Sequence, residues 1–336
     1  MPICLPQLPA VVRDEVLQEM DLLDKLYLSF CSKRCLNQLK SIKDRNSIQA
    51  RLYFGEKYRI GVQEEQIVMD FPKNMNWDNE YQKMTINGME MWMKKDTGAL
   101  TVMGNFRSPE TPFLAFLGYL EEFCQFPRHC VALDLDRMSG YSILLNNLPF
   151  TKVKECFIYS MKEKSLPYEQ LNQLMTRLDV SEEVTFMLPN DKEFKLDNSV
   201  RFRLNGCLDF KHSVCLSPET FLNSSECSKI KISGADFKPE VYEQFVSNWY
   251  HSNNQSLDYV NSWDKPRQEV SNFDKFHPMP WDPQRRSGFY YDDEGDTIDC
   301  SAGLDIIRSD GMMATIIDTL RSFHFYVWKH PFPSSQ

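Results

Sequence analysis

A chain of 336 residues exceeds the usual size of one domain and predicts a small unit beside a larger one. Its 42% apolar and 25% charged residues, with no low-complexity tract, exclude a largely disordered protein. A formal net charge of −9 argues against a nucleic-acid partner, and the absence of an apolar run of spanning length argues against a membrane one.

The opening MPICLPQLPAVVRDEV lacks a basic region ahead of a long apolar stretch, which argues against a cleaved signal peptide and for a cytoplasmic or nuclear location. Ten cysteines lie scattered without a CxxC pair, and in a reducing compartment they are expected as small core hydrophobes. The N-x-S sequons at Asn223 and Asn254 are then chance matches. The densest basic stretch, Lys40, Lys43, Arg45, Arg51, Lys57 and Arg59, is broken by apolar and acidic residues and reads as a solvated face or linker.

After Leu8-Pro9, the residues Val12, Val16, Leu17 and Met20 fall at helical spacing, so a first helix ends near Asp21. Asp21 and Asp24 are both able to cap a second helix, Leu22 to Cys31, whose Leu22, Leu23, Leu26, Tyr27, Leu28 and Phe30 leave almost no polar side. Ser32 caps a third, turning Leu36, Leu39 and Ile42 inward. So small a unit cannot bury this much apolar surface alone. Its cover must come from the rest of the chain or from another protein.

LPAVVRDEVLQEMDLLDKLYLSFCSKRCLNQLKSI resembles an F-box: Leu-Pro, an apolar helix, then Asp21, Asp24, Leu26, Leu28-Ser29 and Ser32-Lys33-Arg34. Two positions depart from the pattern, Lys25 where a leucine is common and Cys35 where an aromatic often follows Lys-Arg. The resemblance implies docking onto a Skp-type adaptor of a cullin complex through Leu8, Pro9, Val12, Val16, Leu17, Met20, Leu26, Leu28 and Cys31. Some of these nine must instead serve the internal core, because both tasks call for a buried apolar side chain.

From Arg51 to Phe106 the runs RLYF, YRIGV, QIVMDF, MTINGMEMWM and ALTVMGNF predict a small antiparallel sheet. Thr85 to Met93 alternates, and KKDTGA supplies a turn before Leu100. Met84, Met89, Met91, Trp92 and Met93 are read as core filler rather than a soft metal site.

Beyond Pro109, strand and helix alternate: a helix Pro112 to Phe126, the strand Val131 to Leu135, the strand Glu155 to Tyr159, a helix Pro167 to Leu178, and the strand Glu183 to Leu188. Weaker β text follows at Phe202 and Val214, then the strand Lys229 to Ser233, a helix Pro239 to Tyr250 and the strand Leu257 to Val260. Strand starts recur about every 25 to 28 residues, once the widest gap is counted as two steps. That spacing suits stacked β–α units in a leucine-rich-repeat-like parallel sheet, against the alternative of a plain α/β sheet.

The segment from Lys229 onward resembles the F-box-associated type 2 domain of the large nematode F-box families: a strand, a helix ending F-x-x-x-W, then N-x-x-L-x-Y, here Phe245, Trp249, Asn254, Leu257 and Tyr259. GLDIIRSDGMMATIID and FHFYVW, with Asp310-Gly311 as a hairpin turn, match that family's closing antiparallel strands. The expected class is therefore mixed α+β or α/β. It comprises an F-box at 1–46, an antiparallel segment at 47–108, and an F-box-associated, substrate-binding domain at 109–336.

No catalytic, cofactor or metal residues are expected. Asp134-Leu135-Asp136 has the form of a nucleotide-sugar DxD but lacks a phosphate loop, so strand-end polarity is the better reading. The acidic run Asp292, Asp293, Glu294, Asp296 and Asp299 has neither the glycine position nor the closing glutamate of an EF-hand and reads as a solvated turn. The six histidines are isolated, and Cys130 beside His129, the nearest Cys–His candidate, would sit on opposite faces of a strand. The resemblance implies a non-catalytic adaptor subunit of a ubiquitin ligase that holds a protein target. An F-box scaffold outside a ligase and a soluble α/β enzyme whose N-terminal helices cap its sheet are the alternatives. The burial of residues 8 to 40 separates the adaptor from the enzyme.

Overall fold

The computed structural model describes residues 7–42, 50–62, 65–70, 81–96, 99–104, 110–125, 129–137, 151–160, 168–188, 196–197, 200–211, 216–292 and 295–331. Contacts divide the chain into two compact units, Met1–Lys154 and Glu155–Gln336. This grouping cuts across the three-part reading of the sequence. The helices before residue 46, the strands up to 103 and the segment after 109 share the first unit, and the division falls at 154.

The first unit opens with α1 (Ala10–Glu19), α2 (Leu22–Cys31) and α3 (Lys33–Ser41). Asp21 accepts the Asp24 amide at 2.6 Å and Ser32 the Cys35 amide at 3.2 Å, so both predicted caps satisfy an orphan donor at a helix start. Then come β1 (Ala50–Phe54), β2 (Tyr58–Val62), β3 (Glu65–Asp70), β4 (Gln82–Ile86), β5 (Met89–Asp96), β6 (Ala99–Met103), α4 (Glu110–Leu120) and β7 (His129–Asp134). Strand order is β7-β1-β2-β3-β6-β5-β4.

The expected antiparallel sheet needs two amendments. β3 with β6, and β1 with β7, pair in parallel. MTINGMEMWM is two strands rather than one: Asn87 and Gly88, with φ of 49° and 79°, turn the chain between β4 and β5. Asn-Gly is the residue pair that such a two-residue hairpin turn requires. The turn expected in KKDTGA includes residues 97–98, which lie outside the described residues, although β5 and β6 on either side of them pair antiparallel. Phe54, Tyr58 and Phe113 meet edge to face with centroids 5.0 to 5.4 Å apart and fill the core with Met91 and Met93, so these methionines are packing residues.

The second unit continues with β8 (Lys152–Tyr159), α5 (Tyr168–Arg177), β9 (Asp179–Met187), β10 (Cys207–Phe210), α6 (Pro218–Leu222), β11 (Lys229–Ala235), α7 (Pro239–Tyr250) and β12 (Tyr259–Asp264). A 3-10 turn (Asp274–Phe276) and the strands β13 (Met279–Pro280), β14 (Phe289–Tyr291), β15 (Thr297–Asp299), β16 (Leu304–Ile307), β17 (Met313–Asp318) and β18 (Ser322–Trp328) complete it. Neighbours run β8-β9-β10-β11-β12-β18-β17-β16-β13. The pairs β9–β10, β10–β11 and β11–β12 are parallel, so strands successive in the chain are neighbours in the sheet, as stacked β–α units require. The strand between β9 and β11 is Cys207–Phe210; Phe202 is buried but outside any strand, and Val214 lies outside the described residues.

One face of α7 buries Phe245, Val246 and Trp249, as helical spacing predicts, but its fourth buried residue is Tyr242 rather than the expected Val241, which is half-buried. Phe245 and Trp249 meet Phe325 of β18 edge to face. Gly311, at φ 88°, closes the β16–β17 hairpin, and β18 pairs antiparallel with both β17 and β12. Most of the described cysteines are buried.

Candidate functional site

The helices expected to dock a partner separate into an inner and an outer set. Leu17 and Leu26 are fully buried, and Leu22, Leu23, Leu39 and Ile42 are buried as well. These two residues of the expected docking list are core, and a fully buried side chain has no surface left to offer. Pro9, Val12, Val16 and Cys31 are exposed, and Leu8, Met20 and Leu28 are half-buried. Val12 and Val16 keep 44% and 41% of their surface, and Val11 keeps 70%. Separated by four residues, Val12 and Val16 share one face of α1, and Met20 continues that row just past its end.

The cover for α2 and α3 comes in part from the chain itself. Phe30 stacks on Tyr119 of α4 at 5.3 Å, and the Tyr119 hydroxyl donates to Ser29 Oγ at 2.9 Å. Burial pushes the Tyr119 phenol up, so it stays a donor. Lys95 of β5 pairs with Asp24 at 2.6 Å and lies over the Tyr27 ring, and Lys40 pairs with Glu122 at 2.6 Å. Lys25, which interrupts the apolar pattern, is 4% exposed, and its ammonium donates to the Gln18 carbonyl at 3.0 Å. A cation there complements the negative end of α1 and ties it to α2.

The other sequence candidates are engaged structurally. Asp134 ends β7 and accepts the Tyr53 hydroxyl at 3.1 Å and the Asp136 amide at 3.2 Å, beside Arg137 at 3.5 Å. That is a capped strand end, as expected of a DxD without a phosphate loop. His129 and Cys130 are consecutive residues of β7. Of the acidic run, Asp293 and Glu294 lie outside the described residues; on either side of them the Asp296 amide donates to Asp292 Oδ1 at 2.8 Å, and Asp299 ends β15. Among the described residues no cluster of His, Cys, Asp and Glu could hold a metal ion. No helix among them is long and apolar enough to cross a membrane.

Sequence reasoning missed three buried arginines that organise the second unit. Arg308, 2% exposed, lies over the Trp249 ring at 4.8 Å, donates to the carbonyl of Asn254 at 2.9 Å, and holds both oxygens of Asp310 at 2.9 and 2.7 Å. The Arg308 guanidinium draws the Asp310 carboxyl down to about 2. Arg286 bonds Asp305 at 2.8 Å and the Cys300 carbonyl at 2.9 Å under Trp328. Arg267 lies over Tyr242 and pairs with Asp264 at 3.2 Å and with Asp318. Burial lifts the Asp264 carboxyl above its ordinary range, against the opposing pull of Ser262, Tyr242 and Arg267. The available signal was a basic residue set inside apolar strand text, as in LDIIRSDGMM.

No family model matches the chain, and no solved structure matches it. An uncharacterized protein of Caenorhabditis elegans is 23% identical over 365 aligned positions, covering 100% of this chain and 80% of that protein.

Proposed function

We propose that this chain is the target-holding subunit of a cullin-based ubiquitin ligase, docked through its N-terminal helices onto a Skp-type adaptor and carrying a protein target on its larger unit. One observation supports the reading above the rest: the apolar row of exposed Val12 and Val16 on the helix whose residues resemble an F-box, continued by half-buried Met20 past its end and by Leu8 and Pro9 before it. The seating of α2 and α3 on Tyr119 and Lys95 is equally required by the competing enzyme reading, in which the helices only cap a sheet. The two readings part at α1. A cap leaves its outer face for water, and water favours polar residues there. In the ligase reading the chain needs no reacting group, because holding a target beside a charged ubiquitin carrier raises the effective concentration of its lysines.

Co-purification of the full chain with a Skp-type adaptor tests this. Wild type is expected to bind, and Val12→Asp/Val16→Asp, Leu8→Ala/Pro9→Ala and Met20→Asp to bind weakly or not at all. Each aspartate would place an unpaired charge in a closing apolar contact, which costs several kcal/mol, or about a 100-fold loss. Equal binding by wild type and all variants, or no binding by any, removes the proposal.

A further inference from the structure

The β14–β15 hairpin has an inward and an outward face. Tyr290 and Ile298, directly opposite one another, pack on the core cluster of Tyr259, Cys300, Met313, Tyr326 and Trp328. The Cys300 amide bonds the Gly288 carbonyl at 2.8 Å, fastening the base of the hairpin. The alternation of a strand sends Phe289, Tyr291, Thr297 and Asp299 the other way. Phe289 and Tyr291 keep 48% and 50% of their surface, although they are large aromatics on a rigidly seated element. Phe289 lies directly across from Asp299, so a ring and a carboxylate stand side by side on the open face. The Asp299 oxygen Oδ1 accepts the Ser301 amide at 2.9 Å and its hydroxyl at 2.6 Å, which holds the carboxyl ionised. From Ser287 to Cys300 the sequence holds Asp292, Asp293, Glu294, Asp296 and Asp299, and no lysine, arginine or histidine.

We infer that the outward face of the β14–β15 hairpin binds an arginine-bearing segment of a partner protein, with guanidinium groups lying on Phe289 and Tyr291 and bonding Asp299. The inference rests on the adaptor reading only in taking that partner to be the recruited target. Charge complementarity selects the occupant. A second apolar surface would desolvate the Asp299 charge with only the neutral Ser301 donors to offset it, whereas a guanidinium satisfies ring and carboxylate together. Arginine is favoured over lysine because its planar, weakly hydrated group stacks and bonds at once.

The test is fluorescence anisotropy of the full chain with a labelled alternating arginine–glycine peptide of about twelve residues, at about 150 mM salt, where distant surface charges are screened. Alternating lysine–glycine and glutamate–glycine peptides run in parallel. The arginine peptide is expected to bind tightest and the glutamate peptide not at all. Phe289→Ala/Tyr291→Ala is expected to weaken binding about tenfold and Asp299→Asn about fivefold. Asp236→Asn, at an exposed carboxylate outside the hairpin, should leave binding unchanged. Since the replaced side chains are exposed, the unfolding temperature should hold and verify that each variant is folded. No binding of the arginine peptide, equal binding by wild type and the hairpin variants, or an equal loss in Asp236→Asn overturns the inference. A chain that co-purifies with the adaptor but ignores the peptide overturns this inference alone. One that binds the peptide but never the adaptor upholds this inference and overturns the ligase reading.

Discussion

Arg308 illustrates how a single side chain joins distant parts of the second unit. Its guanidinium meets Asp310 beside it, the Asn254 carbonyl beyond the end of α7, and the Trp249 ring. Replacing it with methionine leaves the Asn254 carbonyl without that donor and frees the exposed Asp310, at an expected cost of about 1–3 kcal/mol from the lost hydrogen bonds. Urea unfolding of Arg308→Met measures this, and a loss below about 1 kcal/mol would mean the network is dispensable. His324 on β18 carries a pH dependence. Its Nδ1 lies 3.0 Å from Asn261 Oδ1, and burial pushes its pKa down, opposed by Asp318. The unfolded chain then takes up the proton first as pH falls. Stability is complete above the unfolded value of about 6.5 and is lost as pH drops toward the lower folded value. Thermal unfolding between about pH 7.5 and 5.5 should show a falling midpoint, and His324→Gln should remove that part of the slope. An unchanged slope would assign the effect to other groups.

At the scale of elements, the Asn87-Gly88 turn sets the β4–β5 pairing, from Ile86↔Met89 out to Gln82↔Met93. A Cβ at residue 88 is strained at φ 79°, so Gly88→Ala should cost about 1 kcal/mol, read as a lower denaturation midpoint. An unchanged midpoint would show that the pairing of β5 with β6, not the turn, holds the register. The two sides of α1 predict opposite outcomes. Val16→Asp lies on an exposed face and should leave stability within about 0.5 kcal/mol, whereas Leu17→Asp buries a charge and should unfold the helical unit. Circular dichroism on heating separates the two. Comparable losses in both would show that the α1 face is structural and would weaken its role in docking.

Over the whole molecule, amide hydrogen exchange is expected to be slowest in β11, β12 and β18, which have a strand on either side and carry buried Ile230, Ile232, Val260, Phe323 and Phe325. It should be fast in α1 and slow there once an adaptor is bound; no change in α1 on adding the adaptor would count against the docking face. The split between what was legible in the sequence and what was not follows the range of the interactions. The bounds of α2 and α7, the Asp21 and Ser32 caps, and the Asp310-Gly311 turn were readable because each depends on hydrogen bonds and apolar spacing within a few neighbouring residues. Even there Asn87-Gly88 was passed over, because alternation on both sides of it reads as one longer strand. The parallel pairing of β3 with β6, the division at Lys154, the burial of Leu17 beside an exposed Val16, and the partners of Arg267, Arg286 and Arg308 each depend on residues brought together from elsewhere in the chain. The sequence alone determined the bounds of those elements whose caps and turns are local and which side of a helix is apolar; only tertiary packing decided which apolar faces were covered, since that depends on what lies opposite them in space.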